Sequence, residues 1–392
     1  MLFQIILALI VGLIAGTITG LTPGIHINLI GALLLSTHLL PVEPIYLIIF
    51  IISMSITHTF LDFIPSIILG CPDTDTELGI LPGQKLLQKG KGYEAILLTT
   101  YGSLIAIIIL TIIAFPSLFL IKQTYNFFEK VIPYILILIS IILISTERKK
   151  LTALKIFLLT GFLGYSITFL EINQPLLPLL TGLFGSSILI QSIKNKITIP
   201  KQKITKPRIK IKRPIMASLL SAPLCSFLPG LGSGQAGLIG NLITKNNNKE
   251  FLTLLGITNT LVMGFSIITL FAINKTRTGS AAFVGQIIPN LDMKYLILIL
   301  TVIIISGIVS FYLTLWLGQI VSLNIWRFNY QKLALVTLAI LIIVIILVSG
   351  WLGFLVFVIS TLTGLYALGH KIRRTNMMGC LMIPSVVFYL IR

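Results

Sequence analysis

The chain has 392 residues, 56% of them apolar and only 10% charged, against roughly 25% charged in an ordinary soluble domain. With a mean hydropathy of +1.04, this composition excludes a water-soluble surface and predicts an all-α polytopic membrane protein, multi-pass in the cell membrane. The net charge of +18 is concentrated, since nine of the 29 Lys and Arg fall in residues 194–213, where there is no acid. Such a stretch is a cytoplasmic loop under the positive-inside rule. It carries no interleaved aromatic platform, so nucleic acid is not an expected partner.

The first apolar run, 2–21, lacks the basic leader of a signal peptide and reads as a membrane segment. It runs into Thr22-Pro23-Gly24, after which 25–40 is again apolar. Four pairs of spans follow: 95–121 with 131–145, 151–170 with 175–193, 295–317 with 333–348, and 350–368 with 376–391. Between the second and third pairs, 214–228 runs into Pro229-Gly230 and 234–244 resumes. Pro-Gly inside an apolar run frees backbone polar groups, which at membrane depth only protein or a water-filled cavity can satisfy. Both places therefore predict a broken or re-entrant helix hairpin with a Pro-Gly tip.

Pro23 and Pro229 lie 206 residues apart, about half the chain, which suggests an internal duplication. The loops at 85–91 and 147–150 are basic in the first half, while 41–44 and 171–174 have no Lys or Arg. In the second half 245–249, 327–332 and 371–374 are basic, 349–350 is uncharged and 289–294 carries one Asp and one Lys. Corresponding loops thus face opposite sides. The reading is two inverted-topology repeats, 1–193 and 214–392, joined by a basic cytoplasmic linker at 194–213, with both termini outside and about seven passages per half. The 122–130 loop, with two Lys and one Glu, fits this poorly. Inverted repeats with broken helices at the midplane are a recurrent plan for secondary transporters. Half-helix N-termini there favour an anionic substrate.

Four constellations carry candidate chemistry. Around the first tip, Thr22, Pro23, Gly24, His26 and Asn28 place polar groups and a permissive glycine in an apolar stretch; a ligand site and helix capping by Thr22 and Asn28 are both open readings. Around the second, Pro229, Gly230, Gly232, Ser233, Gly234 and Gln235 form a Gly-rich turn opening a helix. Gly232 to Gly237 spells G-x-G-x-x-G without the βαβ setting of a dinucleotide site. Free N–H groups for an anion and close small-residue helix packing are the alternatives. The third is His58 and Asp62, helical i,i+4 neighbours. An intramembrane Asp is costly and functional by default, so the pair would relay a proton or hold Na⁺, or else be a mutually satisfied structural pair. The fourth joins Asn259 with Lys275, Arg277 and Ser280. Arg277 suits a carboxylate or phosphate, a basic surface loop would serve equally, and pairing of Arg277 with Asp62 is a third possibility.

No HExxH, P-loop or GxSxG motif occurs, and no catalytic residue, metal site or resident cofactor is expected. The three cysteines have no CxxC spacing. The acidic run from Cys71 to Glu77 reads more readily as a solvated loop than as a cation site, since it lacks an EF-hand pattern.

Four stretches together resemble one family. They are GLIAGTITGLTPG at 12–24, LPGQKLLQKGKGYEA at 81–95, LPGLGSGQAG at 228–237, and Asn259 followed by GSAA at 279–282. The chain resembles the large membrane subunit (TctA) of the tripartite tricarboxylate transporters, in a short, archaeal-type form. The resemblance implies a permease importing carboxylates on a cation gradient, with a small membrane subunit and a solute-binding protein as partners. Two segments depart from the family pattern: its acidic Glu-Ala-Asn-Asn segment is Thr258-Asn259-Thr260 here, and its Gly-Ile-Pro-Gly tip is replaced by 275–279. The expected function is a secondary permease for an anion, with the two Pro-Gly tips and Arg277 as the site and Na⁺ or H⁺ coupled at His58 and Asp62. The rivals are translocation of a polyprenyl-phosphate or similar anionic lipid, and a non-transporting membrane scaffold.

Overall fold

The computed structural model describes residues 2–22, 27, 30, 43–70, 76–196, 198–227, 232–276, 278–288 and 291–391. These residues are helical, with no strand among them, and they include nine helices long and apolar enough to cross a membrane. In chain order the helices are α1 Leu2–Leu21, α2 Pro44–Leu61, α3 Phe63–Ile68, α4 Ile80–Leu87, α5 Gly92–Ser145, α6 Lys150–Ser166 and α7 Leu176–Lys194. Then come α8 Lys212–Phe227, α9 Ser233–Thr244, α10 Asn248–Ile273, α11 Gly279–Ile287, α12 Met293–Asn324, α13 Tyr330–Gly369 and α14 Gly379–Ile391.

Burial sorts them into layers. The most apolar windows of α2 and α10 are 89% and 94% buried, whereas that of α1 is only 17% buried. The two central helices also carry the polar residues, which inverts the amphipathic rule of soluble proteins: inside a bilayer the protein interior is where polar groups find partners. Helix α2 packs on α1 and α12, and α10 packs on α8 and α5. Each central helix therefore touches a long helix from the other end of the chain.

Close packing depends on missing side chains. Gly12, Gly16 and Gly20 bring the backbone of α1 onto α2, where a methyl at any of them would strike Ser53, Met54 or Leu61. Gly102 of α5 and Gly256 of α10 do the same from both sides of one crossing, each meeting the other helix's backbone.

Helix ends follow local chemistry. Asn247 starts α10 by accepting from Lys249 N at 3.0 Å and Glu250 N at 3.1 Å, while Glu250 Oε2 accepts back from Asn247 N at 3.1 Å. Asn274 ends the helix in the left-handed region at φ 55°. Asp292 caps α12 through Tyr295 N at 3.0 Å.

Two long helices refine the expected spans. The stretches 95–121 and 131–145 are one helix, α5, of 54 residues. At 1.5 Å per residue it is about 80 Å long, so it cannot follow the membrane normal throughout. The intervening 122–130 holds neither Gly nor Pro and stays helical, and Pro116 and Pro133 are absorbed without ending it. The 333–348 and 350–368 spans meet within α13 at Gly350, whose φ 67° and ψ −167° break the helix where the sequence placed the boundary. A π-helical turn, Thr181–Ser186, interrupts α7.

The basic linker is ordered against the α4–α5 corner. Gln202 is buried there, accepting from Gly92 N at 2.7 Å and donating to Leu87 O at 3.0 Å, and Lys203 N donates to Gly90 O at 2.8 Å.

Candidate functional site

Ser55, Thr59 and Asp62 occupy i, i+4 and i+7 along and just beyond α2, and so share a face. That face meets the second half of the chain. Ser55 Oγ bonds Ser280 Oγ of α11 at 2.6 Å, and Thr59 Oγ1 bonds Thr260 Oγ1 of α10 at 3.1 Å. Asn259 Nδ2 donates to Asp62 Oδ2 at 2.8 Å and, at greater length, to Thr59 O at 3.4 Å. All six residues are buried. On other sides of α2, His58 Nδ1 pairs with Thr19 Oγ1 of α1 at 3.1 Å and Ser310 of α12 donates to Thr57 Oγ1 at 2.9 Å. A buried carboxylate with hydroxyl oxygens near it suits a hard cation, or a carboxyl group that takes up a proton, and the Asn259 amide presents its N–H side to it. His58 and Asp62 are one turn apart as expected, yet each reaches a different neighbour, α1 and α10 respectively.

The second centre is the start of α9. Gly232 precedes it in extended conformation, and Gln235 Oε1 folds back to accept from Gly232 N at 2.7 Å. This leaves the Gln235 amide Nε2 buried without a hydrogen-bond partner among the described residues. A buried donor left unmade costs about 1–3 kcal/mol, so the helix start holds a donor ready for an acceptor, beside the partial positive charge of the helix dipole. Facing it is the turn Glu77–Gly79. Glu77 is only 2% exposed, and a methyl on Gly234 would collide with its carboxylate.

Two hydroxyls lie between the two centres. Ser66 Oγ donates to Asp62 O at 2.8 Å and bonds Thr76 Oγ1 at 2.6 Å, one residue before Glu77. Ser66 lies on the short α3 and Thr76 just before the Glu77–Gly79 turn that leads into α4, which packs on α3.

The sequence that folds this way matches a known family: the profile of the tripartite tricarboxylate transporter TctA family covers residues 6–379. The chain belongs to the TctA family. It is 31% identical over 386 residues to an uncharacterized protein of Methanocaldococcus jannaschii, an alignment covering 94% of this chain and 95% of that one. No solved structure matches it. Membership makes this chain a multi-pass membrane transporter component, in agreement with its nine membrane-capable helices among the described residues.

Of the residues singled out in the sequence of this TctA-family chain, the structure gathers His58, Asp62, Asn259 and Ser280 around α2, and Gly232, Ser233, Gly234 and Gln235 at the α9 start. Thr22 only continues the last turn of α1, donating its N–H to Ile18 O at 3.0 Å. Lys275 turns elsewhere. Its ammonium, partly exposed, donates to Tyr125 Oη at 2.6 Å, lies 3.5 Å from Glu129 Oε1 and sits 4.0 Å from the Tyr125 ring centre. It is thus spoken for by α5. Pro23, Gly24, His26, Asn28, Pro229, Gly230 and Arg277 lie outside the described residues.

Sequence reasoning missed Thr76 and Glu77, which a solvated acidic loop would expose and which are instead 0% and 2% exposed. It also passed over Ser55, Thr59 and Ser66. Ser55 and Thr59 had a signal, the i, i+4, i+7 alignment with Asp62; the burial of Glu77 had none, because its neighbour at Gly234 is over 150 residues away.

Proposed function

We propose that the chain is a secondary permease for an anionic substrate, a carboxylate first, with its substrate site at the α9 start and its coupling site at Asp62. The observation that carries this reading is the buried, unpartnered amide of Gln235 at a helix N-terminus. With Ser233 and Gly230 it would offer an anion several donors, while Pro229, which has no N–H, and Gly232, whose N–H is taken by Gln235 Oε1, would shape the tip. Thr22, Pro23, Gly24, His26 and Asn28 would close the site from the first tip with Arg277, while Asn259 and Ser280 would serve the Asp62 side and Lys275, paired on α5, takes no part. His58 and Asp62 would couple Na⁺ or H⁺. A small membrane subunit and a solute-binding protein would complete the transporter.

Glu77 gives this site a gate. One helix start favours one anion, and two carboxylates there repel each other. Substrate binding therefore requires Glu77 to withdraw or take up a proton. The Ser66–Thr76 chain is the route by which that movement would reach Asp62.

The domain plan that fits is two inverted repeats, 1–193 and 214–392, about the 194–213 linker. The reciprocal packing of α2 on α12 and α10 on α5 supports it.

One observation favours the lipid-carrier alternative. A groove of about 350 Å³ opens between α6, the start of α7 and α14, lined by apolar residues such as Ile167, Leu176, Leu381 and Phe388. It would admit a hydrocarbon tail.

The deciding experiment is thermal stabilisation of the purified protein by di- and tricarboxylates, phosphate and a short polyprenyl phosphate, with and without Na⁺ at two pH values. A specific ligand at 100 times its Kd adds about 2.7 kcal/mol. Stabilisation by a carboxylate, strengthened in Glu77→Gln and weakened in Gln235→Ala, supports the permease. Stabilisation by the lipid phosphate alone replaces it with the carrier reading, and no stabilisation by any anion removes both.

A further inference from the structure

A second pocket lies away from both centres. It encloses about 380 Å³ between the linker, at Thr198 and Ile199, and the α12–α13 corner, from Trp326 to Gln331. Two cations converge on one indole there: Lys201 Nζ lies 5.6 Å and Arg327 Cζ 5.8 Å from the Trp326 ring centre. Neither forms an ion pair with a carboxylate among the described residues.

Neither wall of the pocket supplies a carboxylate. The linker side belongs to 172–249 and the corner side to 293–392, and neither stretch contains a single Asp or Glu. Two like charges held on one ring, without a counter-ion from either wall, make a vacancy for an external anion. Arginine's planar fork suits phosphate oxygens in particular.

The pocket's setting selects the source of that phosphate. Trp326 and Phe328 are 41% and 60% exposed, as aromatics are at the headgroup level of a bilayer. Along α12 from the pocket, Leu323, Ile320 and Trp316 are exposed at helical spacing and form an apolar track along the helix. A free phosphate would leave that track unused. An anionic lipid would lay its chains along it with its headgroup between Lys201 and Arg327.

We propose that this pocket binds the phosphate headgroup of an anionic membrane lipid, and that the lipid staples the linker to the α12–α13 corner. The adjoining Tyr330 is buried, and its hydroxyl accepts from Gln84 Nε2 and donates to Leu69 O, both at 3.3 Å. The staple therefore abuts the α3–α4 unit that carries Glu77.

The test reconstitutes the full chain in nanodiscs of phosphatidylcholine alone or with phosphatidylglycerol, and reads the lipid retained in native mass spectra together with the thermal midpoint. Wild type is expected to retain phosphatidylglycerol preferentially and to melt higher in its presence. Lys201→Gln/Arg327→Gln should lose that preference about tenfold or more while melting like wild type in pure phosphatidylcholine. Lys206→Gln/Lys210→Gln, which removes equal charge from the same linker outside the pocket, should keep it. Equal retention of the two lipids by wild type overturns the proposal, as does an equal loss in both double variants, which would show diffuse attraction. Inorganic phosphate in pure phosphatidylcholine discs should not raise the midpoint; a full effect from it would make this a free-phosphate site and overturn the lipid assignment.

Discussion

Asp62 is the residue on which the interior is arranged. A carboxylate in a dry interior costs several kcal/mol unless donors or a cation compensate it, and Asn259 supplies one donor at 2.8 Å. Asparagine at position 62 would keep an oxygen for that donor and remove the charge. Asp62→Asn is therefore expected to fold, with a thermal midpoint close to wild type, and to lose any effect of Na⁺ or pH on carboxylate stabilisation. If the ion dependence survives in this variant, Asp62 is no part of coupling. A second prediction concerns Gly234 and Glu77. Gly234→Ala forces a methyl against the Glu77 carboxylate and should destabilise by about 1–3 kcal/mol, as overpacking does. Glu77→Ala removes the obstacle, so the double variant should recover most of the loss. Additive effects in that cycle would show that the two residues do not touch.

At the scale of helices, glycines separate two kinds of constraint. Gly256 faces the Thr99 backbone of α5, which no rotamer change can move. Gly350 has open space around it but a φ of 67° with ψ −167°, a region essentially reserved for glycine. Gly369 has open space and no such dihedral. Thermal denaturation of the alanine variants should rank them: the largest loss for Gly256→Ala, about 1–3 kcal/mol of backbone strain for Gly350→Ala, and little change for Gly369→Ala. A neutral Gly350→Ala would mean that α13 does not need its break. The same contrast explains what could be read in advance. Apolar run length marks spans, so α6, α7, α12 and the α13 boundary were legible from sequence. The fusion across 122–130 was not, because two Lys and a Glu suggest a surface loop, while the helix there is held by Lys275 pairing with Tyr125 and Glu129. Polar residues on and just beyond α2 could be listed from sequence, but their partners on α10, α11 and α12 come from 197 or more residues away. Periodicity within one helix carries no information about such pairs, and for that reason Glu77 looked solvated.

At the scale of the whole molecule, the basic segments seek one another. The 87–94 corner, the linker and the start of α10 meet through Lys203 on Gly90, Thr205 on Glu94 at 3.3 Å, and Lys249 on Glu94 at 2.5 Å. Elsewhere the 147–150 and 371–376 loops meet where Arg373 Nε lies 3.6 Å from Glu147 Oε1 and Asn376 Nδ2 donates to it at 3.0 Å. Segments rich in Lys and Arg repel one another unless acids sit between them, and the buried Glu94, Glu147 and Glu250 do so. Their gathering is what a shared cytoplasmic face requires under the positive-inside rule. In inverted repeats, the first-half corner at 87–94 and the second-half loop at 245–249 must then lie inside, and the weakly charged turns near Glu171 and Asp292 outside. Single cysteines at positions 89, 206, 171 and 292, in a background without Cys71, Cys225 and Cys380, should report this through a membrane-impermeant maleimide. Positions 89 and 206 should label only in inside-out vesicles, and 171 and 292 only in right-side-out ones. A parallel duplication would put residue 292 on the same side as 89, because the two are near-equivalent positions at the 206-residue offset. Labelling of both from one side would therefore replace the inverted architecture, and the midplane site built on it, with a different plan.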